Sequence, residues 1–286
     1  HLGYTMLSIK NFLKRIFEIR KNQTKILLSH IAKESGGITL LDIGAAGDIQ
    51  PRWLMIAKEL NYIAFEPDKR SYEKLLNTHN CRKYNVIKEV VWSSKEKISF
   101  NLCEDPQVSS IFEPNKEFLN KYPNAKRFDI KEKKYFTTST LDIELSDNIV
   151  DFVKLDIQGA EYFALKGMKN KLKDSIGLEI EIEFSPMYIN QPLFGQVNDF
   201  LRKQGFEFID FTNICRWERK IYNSYGQIIF GDGLWLRSPE YILKNQAEKI
   251  IKYITICSLY GRYDLVNEVI NFKSLTFTKQ FKKALN

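Results

Sequence analysis

LLDIGAAGDIQPRW, residues 40–53, decides the fold. An apolar run leads into Asp42, two glycines follow three apart at Gly44 and Gly47, and Pro51 then stands where a helix can begin. Proline suits a first helical turn because the N–H it lacks has no intrahelical partner there. Strand, glycine turn and helix in that order bring a helix N-terminus up to a nucleotide-like ligand. The dinucleotide fingerprint places glycines at first, third and sixth positions. Here Gly44 is first, but Ala46 holds the third place and Ile49 the sixth, so the grip on a pyrophosphate is incomplete. A ligand without phosphate loses nothing by that.

The next apolar run ends in AFEP, which sets Glu66 24 residues beyond Asp42 with Pro67 behind it. A carboxylate at the end of the second strand accepts hydrogen bonds from both ribose hydroxyls. Turn and carboxylate together suit an adenosyl ligand without phosphates, such as S-adenosylmethionine. A nicotinamide-dependent oxidoreductase shares the early pattern, but it requires the phosphate contacts that this turn lacks.

Outward from there the chain keeps an α/β rhythm. ITLLDIG, YIAFEP, NVIKEVVW, KISFNLC, VDFVKLDI and IGLEIEIEF read as strands, followed by FEFIDF and QIIFGDGLWLR. PRWLMIAKEL, DKRSYEKLLNTHN, GAEYFALKGMKNKLKD and LFGQVNDFLRKQG read as helices. Alternating βα units form a parallel sheet with crossover helices. Residues 104–140 interrupt it with prolines and little periodicity; a connection of that length is a lid, a binding loop or an insert without order. Residues 6–33 read as a basic amphipathic helix, in which Leu7, Phe12, Leu13, Ile16, Phe17, Ile26 and Leu27 alternate with Lys10, Lys14, Arg15, Arg20 and Lys21. Such a helix either covers the flank of the main domain or lies on a membrane surface. After Pro239 the pattern is helical again. Three parts are expected: a helical segment at 1–35, an α/β domain at 36–238 with 104–140 as its lid or insert, and a helical extension at 239–286.

Two further stretches carry charge inside apolar runs. In DFVKLDIQGAE, Lys154 and Asp156 project from one face of a strand, and buried charges are costly unless paired. Asp156 stands near the carboxyl end, where open α/β sheets bind ligands. Gly159 allows a tight turn, and Glu161 falls in a first helical turn where a carboxylate is favoured. In IGLEIEIEF, Glu179, Glu181 and Glu183 alternate strictly with apolar residues, although an interior parallel strand should be apolar on both faces. That face is either open to water or its later carboxylates line a site; Glu183 is the preferred candidate, and Glu179 reads as structural or solvated. Asp232, between glycines in GDGLW, reads as a turn residue or as part of a substrate site.

Composition bounds the partners. With 286 residues, 44% hydrophobic and 13% aromatic, the chain can bury a large core. No apolar stretch approaches the ~20 residues of a membrane span, and the first residues lack a secretory signal pattern. The formal charge of +8 is spread along the chain. No RNA-binding signature or zinc finger accompanies it, so nucleic acid is not the expected partner. Cys81, Cys103, Cys215 and Cys257 and the three histidines give no zinc spacing and read as reduced thiols of a cytoplasmic protein. Membrane contact is expected at most peripherally, at the inner face, through the basic helix.

These blocks together resemble the FkbM-type S-adenosylmethionine-dependent methyltransferases. LLDIGAAGDIQPRW, AFEP, SSIFEPN, TLDIEL, VDFVKLDIQGAEYFALKG and IEIEFSPMY follow one another as in that family, from residue 38 to about 237. The K-x-D-x-Q-G-A-E block with the L-K-G after it is the most specific part. The resemblance implies a Rossmann-like class I methyltransferase fold: a seven-stranded, mostly parallel sheet, its last strand antiparallel, with helices on both faces. It implies that Asp42, Gly44, Ala45 and Gly47 approach the methionine part of the cofactor, that Glu66 and Pro67 meet the ribose, and that Asp156, Gln158 and Gly159 lie at the junction of cofactor and acceptor. Many members have Asn where this chain has Ala46. The family is associated with O-methylation of sugars and natural products, so a sugar hydroxyl, on a small molecule or a nucleotide-linked glycan precursor, is the expected acceptor. Ser109, Ser110, Glu161 and Asp232 are the expected substrate contacts. Asp156 is the first choice as general base or as ligand to magnesium or manganese, with Glu183 as a second ligand, and Lys154 and Glu183 stand behind it as bases. A non-catalytic membrane- or glycan-associated scaffold, using the basic helix and the helical tail, is the rival from another class.

Overall fold

A computed structural model of the chain describes residues 24–272, apart from 48, 77–79 and 221–222. Residues 6–23 of the basic amphipathic helix expected over 6–33, whether flank cover or membrane-surface helix, and the tail at 273–286 lie outside the described residues.

The strands are β1 (Ile38–Ile43), β2 (Leu60–Phe65), β3 (Lys83–Ile87), β4 (Val90–Val91), β5 (Lys97–Cys103), β6 (Ile130–Ser139), β7 (Phe152–Leu155), β8 (Gly177–Glu183), β9 (Glu207–Trp217) and β10 (Gln227–Leu236). The helices are α1 (24–34), α2 (Pro51–Leu54), α3 (Lys69–Leu75), α4 (Lys116–Leu119), α5 (Leu141–Glu144), α6 (Glu161–Lys166), α7 (Lys169–Asp174), α8 (Phe194–Lys203), α9 (Pro239–Asn245), α10 (Ile250–Leu259) and α11 (Tyr263–Phe272). Seven strands form one sheet in the order β3-β2-β1-β7-β8-β10-β9. Neighbours pair in parallel as far as β8, and β10 runs antiparallel between β8 and β9. This is the seven-stranded sheet, antiparallel at its last strand, that the resemblance implies.

Strand alternation sorts the core into two layers. On one face Leu40, Phe152, Leu234 and Leu236 pack with Leu28, Ile31 and Ala32 of α1 and with Tyr253, Ile254, Cys257 and Val266 of α10 and α11. On the other, Leu41, Ile43, Val153, Leu155 and Ile180 pack with Leu141, Leu165, Leu172, Val197 and Leu201 of α5 to α8. The described end of the N-terminal helix is therefore a flank cover, held by buried Leu and Ile side chains worth about 1.5–3 kcal/mol each. The C-terminal extension is tied down by charge as well. Asp151, fully buried, accepts the Thr39 amide at 2.9 Å and faces Lys252 Nζ at 2.7 Å and Lys249 Nζ at 3.9 Å. Removing the cations from such an aspartate costs about 3–5 kcal/mol.

Three expectations change. Residues 104–140 are not an irregular loop: their second half is β6, antiparallel to β5 and joined with β4 in a separate three-stranded sheet. The exposed lysines of KEKKYF hid the strand, because one-sided burial leaves only a weak apolar signal. The insert also has a core of its own, with Phe118, Leu119, Tyr122 and Phe128 against Met187, Tyr188 and Ile229. The helix expected over residues 159–174 is two short ones, broken where Gly167 lies so close to Trp92 that a Cβ would come within 2.1 Å of its carbonyl oxygen. GDGLW is not a turn but the middle of β10, where a Cβ on Gly231 would press on the Asn213 carbonyl at 2.6 Å and one on Gly233 on the Trp235 ring at 2.6 Å. Among the described residues no helix is long and apolar enough to cross a membrane.

Candidate functional site

Strand order reverses direction between β1 and β7, and ligands of open α/β sheets sit outside the carboxyl ends at such a point. The two strands meet there in backbone contact. Gly44 takes φ +81°, and a Cβ on it would come within 1.9 Å of the Asp156 carbonyl oxygen. The Asp156 amide donates to the Ile43 carbonyl at 2.9 Å. The Gly44 and Ala45 amides both donate to the Phe65 carbonyl, at 3.0 and 3.3 Å, so the turn is also stitched to the end of β2. Ala45 is buried and its amide is engaged, so it helps to hold the turn. Ala46 and Gly47 are exposed, and a Cβ on Gly47 would meet nothing within 4 Å: the turn is open on that side.

Asp42 and Lys154 share a register and a face. Lys154 Nζ lies 3.4 Å from Asp42 Oδ1 and 3.8 Å from Asp156 Oδ2, and the Tyr62 hydroxyl donates to Asp42 Oδ2 at 2.7 Å. Burial alone would push the Lys154 ammonium down, but Asp42 and Asp156 outweigh it and hold it above the usual lysine range. That environment favours the charged ammonium, which argues against the base role considered for Lys154 and suits it to neutralise two carboxylates. Glu66 is buried beside the turn and accepts the Asp68 amide at 2.7 Å. Burial raises it to about 7, against the lowering effect of that amide. Pro67, half-buried, follows it.

Gln158 is the hub of the second half. It sits at φ +56°, a left-handed conformation that costs a side-chain-bearing residue about 1–2 kcal/mol. Its Nε2 donates to Asp156 Oδ1 at 3.1 Å and to Glu181 Oε1 at 2.7 Å. Its Oε1 accepts the Tyr188 hydroxyl at 3.3 Å, and its carbonyl accepts the Ser110 hydroxyl at 2.6 Å. Gly159 follows at φ +95°, with Gln191 and Phe112 both 3.4 Å from where a Cβ would be.

The carboxylates around this hub differ sharply in access. Asp156 has 36% of its side chain exposed, whereas Glu161 and Glu183 are buried. Burial raises Glu161 to about 7, although Oε1 accepts the Ile157 amide at 2.7 Å. Burial, then the neighbouring Glu161 and Glu181, hold Glu183 well above the carboxylate range, and its Oε1 lacks a hydrogen-bond partner among the described residues. Enclosure and the raised carboxyl favour the neutral acid, which argues against the base role considered for Glu183. Glu181 is likewise raised, first by burial and then by Asp156. Asp232 pairs in register with Glu181 across β10 and is raised by burial, then by Glu179 and Asp156. Glu179 is structural: it accepts from Thr212 Oγ1 at 2.5 Å and Tyr260 at 2.8 Å, with Arg52 at 3.7 Å.

Ser109 and Ser110 are both buried. Ser109 Oγ accepts the Cys103 amide at 3.0 Å, while Ser110 reaches the hub only through the Gln158 carbonyl. Tyr62, Tyr188 and Gln191 were missed by sequence reading; Glu181 was read there only among the alternating glutamates, behind Glu183 on the same strand face. Among the described residues no group of three or more His, Cys, Asp or Glu is arranged to hold a metal ion. An open glycine turn and a buried acid on the adjacent strand fit an adenosyl group without phosphates.

Residues 42–208, more than half of the chain, match the family model described as the methyltransferase FkbM domain. No curated protein matches the chain. Among solved structures, magnesium protoporphyrin IX methyltransferase from Synechocystis PCC 6803 with bound SAM is 10% identical, over 80% of this chain and 85% of that one, at a TM-score of 0.33. A DUF574 family protein from Streptomyces avermitilis is 14% identical over 76% and 82%, at 0.36. A TehB-like SAM-dependent methyltransferase from Corynebacterium glutamicum is 11% identical over 80% and 97%, at 0.32. Superpositions this loose transfer no residue role.

Proposed function

The chain belongs to the family of FkbM methyltransferase domains, and on that premise we propose that it is an S-adenosylmethionine-dependent O-methyltransferase acting on a sugar hydroxyl in glycan biosynthesis. The observation that carries the reading is the contact of Gly44 with Asp156, which sets an open turn, the buried acid Glu66 and the exposed carboxylate Asp156 around one point of the sheet edge. The nicotinamide alternative loses support from the same place, because the first two amides of the turn are spent on Phe65 and do not face a phosphate.

S-adenosylmethionine, when bound, supplies a methyl carbon activated by its sulfonium. Glu66 and the open side of the Gly47 turn would hold the adenosyl and methionine parts. Aligning acceptor and methyl group is the protein's main contribution, worth about 7–11 kcal/mol in well-oriented pairs. Asp156 receives the hydroxyl proton, a step that contributes about 10²–10⁴-fold. Lys154 and Gln158 fix its two oxygens, so that the carboxylate meets the acceptor in one orientation. Glu161, Glu181 and Glu183 form the acidic wall behind it; Ser110, through Gln158, braces the insert against the site.

Calorimetry on the full chain with S-adenosylmethionine, S-adenosylhomocysteine and NAD tests the donor. Binding of the first two and none of NAD is expected; heat with NAD alone overturns the reading. Transfer of labelled methyl to a panel of nucleotide-linked sugars then tests the acceptor. Label on a protein or nucleic acid but on no sugar would remove the glycan assignment and leave the methyltransferase intact.

A further inference from the structure

A cavity of about 280 Å³ lies between the insert and the outer strand β9, lined by Tyr122, Asn124, Arg127, Phe128, Arg216 and Trp217 among others. Phe128 and Tyr188, ring centroids 5.9 Å apart, stand between it and Gln158, so it is separate from the site described above. We propose that this cavity is a second small-molecule site, which binds a small phosphate monoester: a sugar phosphate or a nucleoside monophosphate.

Two arginines from different elements line the cavity. Arg127 precedes the insert's last strand, and its Nη2 is anchored 3.1 Å from Asp105 Oδ2. Its Nε is buried with no acceptor among the described residues. A guanidinium N–H withdrawn from water without a partner is costly, and a phosphate oxygen is the acceptor that best matches its fork. Arg216, on β9, donates from Nη1 to the Gly226 carbonyl at 3.3 Å, with its Cζ 4.2 Å from the Tyr225 ring centroid. Both groups are held before any ligand arrives, which lowers the ordering cost of binding. Glu218 is the single carboxylate of the lining, against these two cations. With Asp105 paired to Arg127 the local charges balance, so the pull on an anion comes from the unpartnered Arg127 N–H rather than from net charge.

The rest of the lining suits a ring. Trp217 packs edge-on to Tyr122 at 5.4 Å and to Phe128 at 6.1 Å, a rigid aromatic box with flat faces for a sugar or a base. Ligand pockets commonly span about 300–1,000 Å³. At about 280 Å³ this one lies just below that range, which fits a sugar phosphate or a small mononucleotide and not a dinucleotide. Nothing here rests on methyl transfer, and the site stands or falls apart from that reading.

Calorimetry and tryptophan fluorescence on the full chain test it, with glucose 1-phosphate, UMP, inorganic phosphate and glucose as probes. At least one ester is expected to bind with a Kd of about 1 mM or tighter, and about tenfold or more tighter than glucose. Preference for glucose 1-phosphate identifies the sugar ester, preference for UMP the nucleotide. The emission change should vanish in Trp217→Phe, and Arg216→Gln should weaken ester binding about tenfold while S-adenosylmethionine binding is unchanged. Equal binding of ester and glucose, no binding of either ester at about 10 mM, or an emission change that persists in Trp217→Phe overturns the proposal. Should Arg216→Gln not fold, the comparison of wild type with Trp217→Phe decides alone.

Discussion

Gly44 and Asp156 are in backbone contact: a Cβ on the glycine would lie 1.9 Å from the aspartate's carbonyl oxygen and 2.8 Å from its carbonyl carbon. The two chain segments that build the site, the turn after β1 and the end of β7, are held apart by no side chain at all. Gly44→Ala must therefore part β1 from β7, and it adds a side chain at φ +81° as well. A loss of about 3 kcal/mol or more in chemical denaturation is expected, as for other strained or overpacked sites. Gly47→Ala is the control, since its Cβ meets nothing within 4 Å; it should fold like the wild type and weaken only donor binding. Equal stability of the two variants would refute the contact.

Asp156→Asn keeps the size of the side chain and its hydrogen bond from Gln158 while removing the proton acceptor. Turnover should fall about 10²–10⁴-fold, with S-adenosylmethionine affinity within a few-fold of the wild type. Steady-state rates alongside calorimetry check this. Near-normal turnover would take Asp156 out of the mechanism.

Much of the sheet was legible in the sequence because interior parallel strands announce themselves: the runs ending at Asp42, Glu66 and Asp156 are largely apolar, broken before the functional residue only by Thr39, Asn61 and Lys154. Those residues stand out as the places where an apolar pattern breaks, and the structure sets them on adjacent carboxyl ends. Strands that are wet on one side did not announce themselves. β6 hides behind Lys131, Lys133 and Lys134, and Asp232 looks like a turn because its glycine neighbours answer to close packing across β9 and within β10. The protonation of Glu183 was beyond reach for another reason: it depends on which acids the fold brings beside it, Glu161 and Glu181, and spacing along the chain does not fix that.

Glu66 makes donor binding pH-dependent. Burial puts the carboxyl at about 7 in the free protein. A carboxylate grips two hydroxyls better than the neutral acid does, so S-adenosylmethionine affinity should rise from pH 6 to pH 8 and then level off. Glu66→Gln should bind about tenfold or more weakly, the scale of a hydrogen bond to a charged group. Its affinity should also vary little over that range. Titration calorimetry at three pH values reads both, and a pH slope that survives in Glu66→Gln assigns it to another group.

Glu183 couples stability to pH with the opposite sign from an ion-paired carboxylate. Its carboxyl is raised well above the ordinary value of about 4.5 in the folded chain, by burial and then by Glu161 and Glu181. Between that ordinary value and the raised one, the folded state holds a proton that the unfolded state has released. Stability contributed by the group is thus fully present below the unfolded value and is lost as pH rises. The slope is at most about 1.4 kcal/mol per pH unit for one group. Glu161, raised to about 7, adds to the same trend. Urea denaturation should accordingly show the protein more stable at pH 5.5 than at pH 8. Glu183→Gln, which can no longer release a proton, should flatten the profile and compare best with the wild type at the alkaline end. If the wild type proves equally stable at both pH values, the acid is ionised in the folded chain and the wall behind Asp156 is charged, which would return Glu183 to contention as a base.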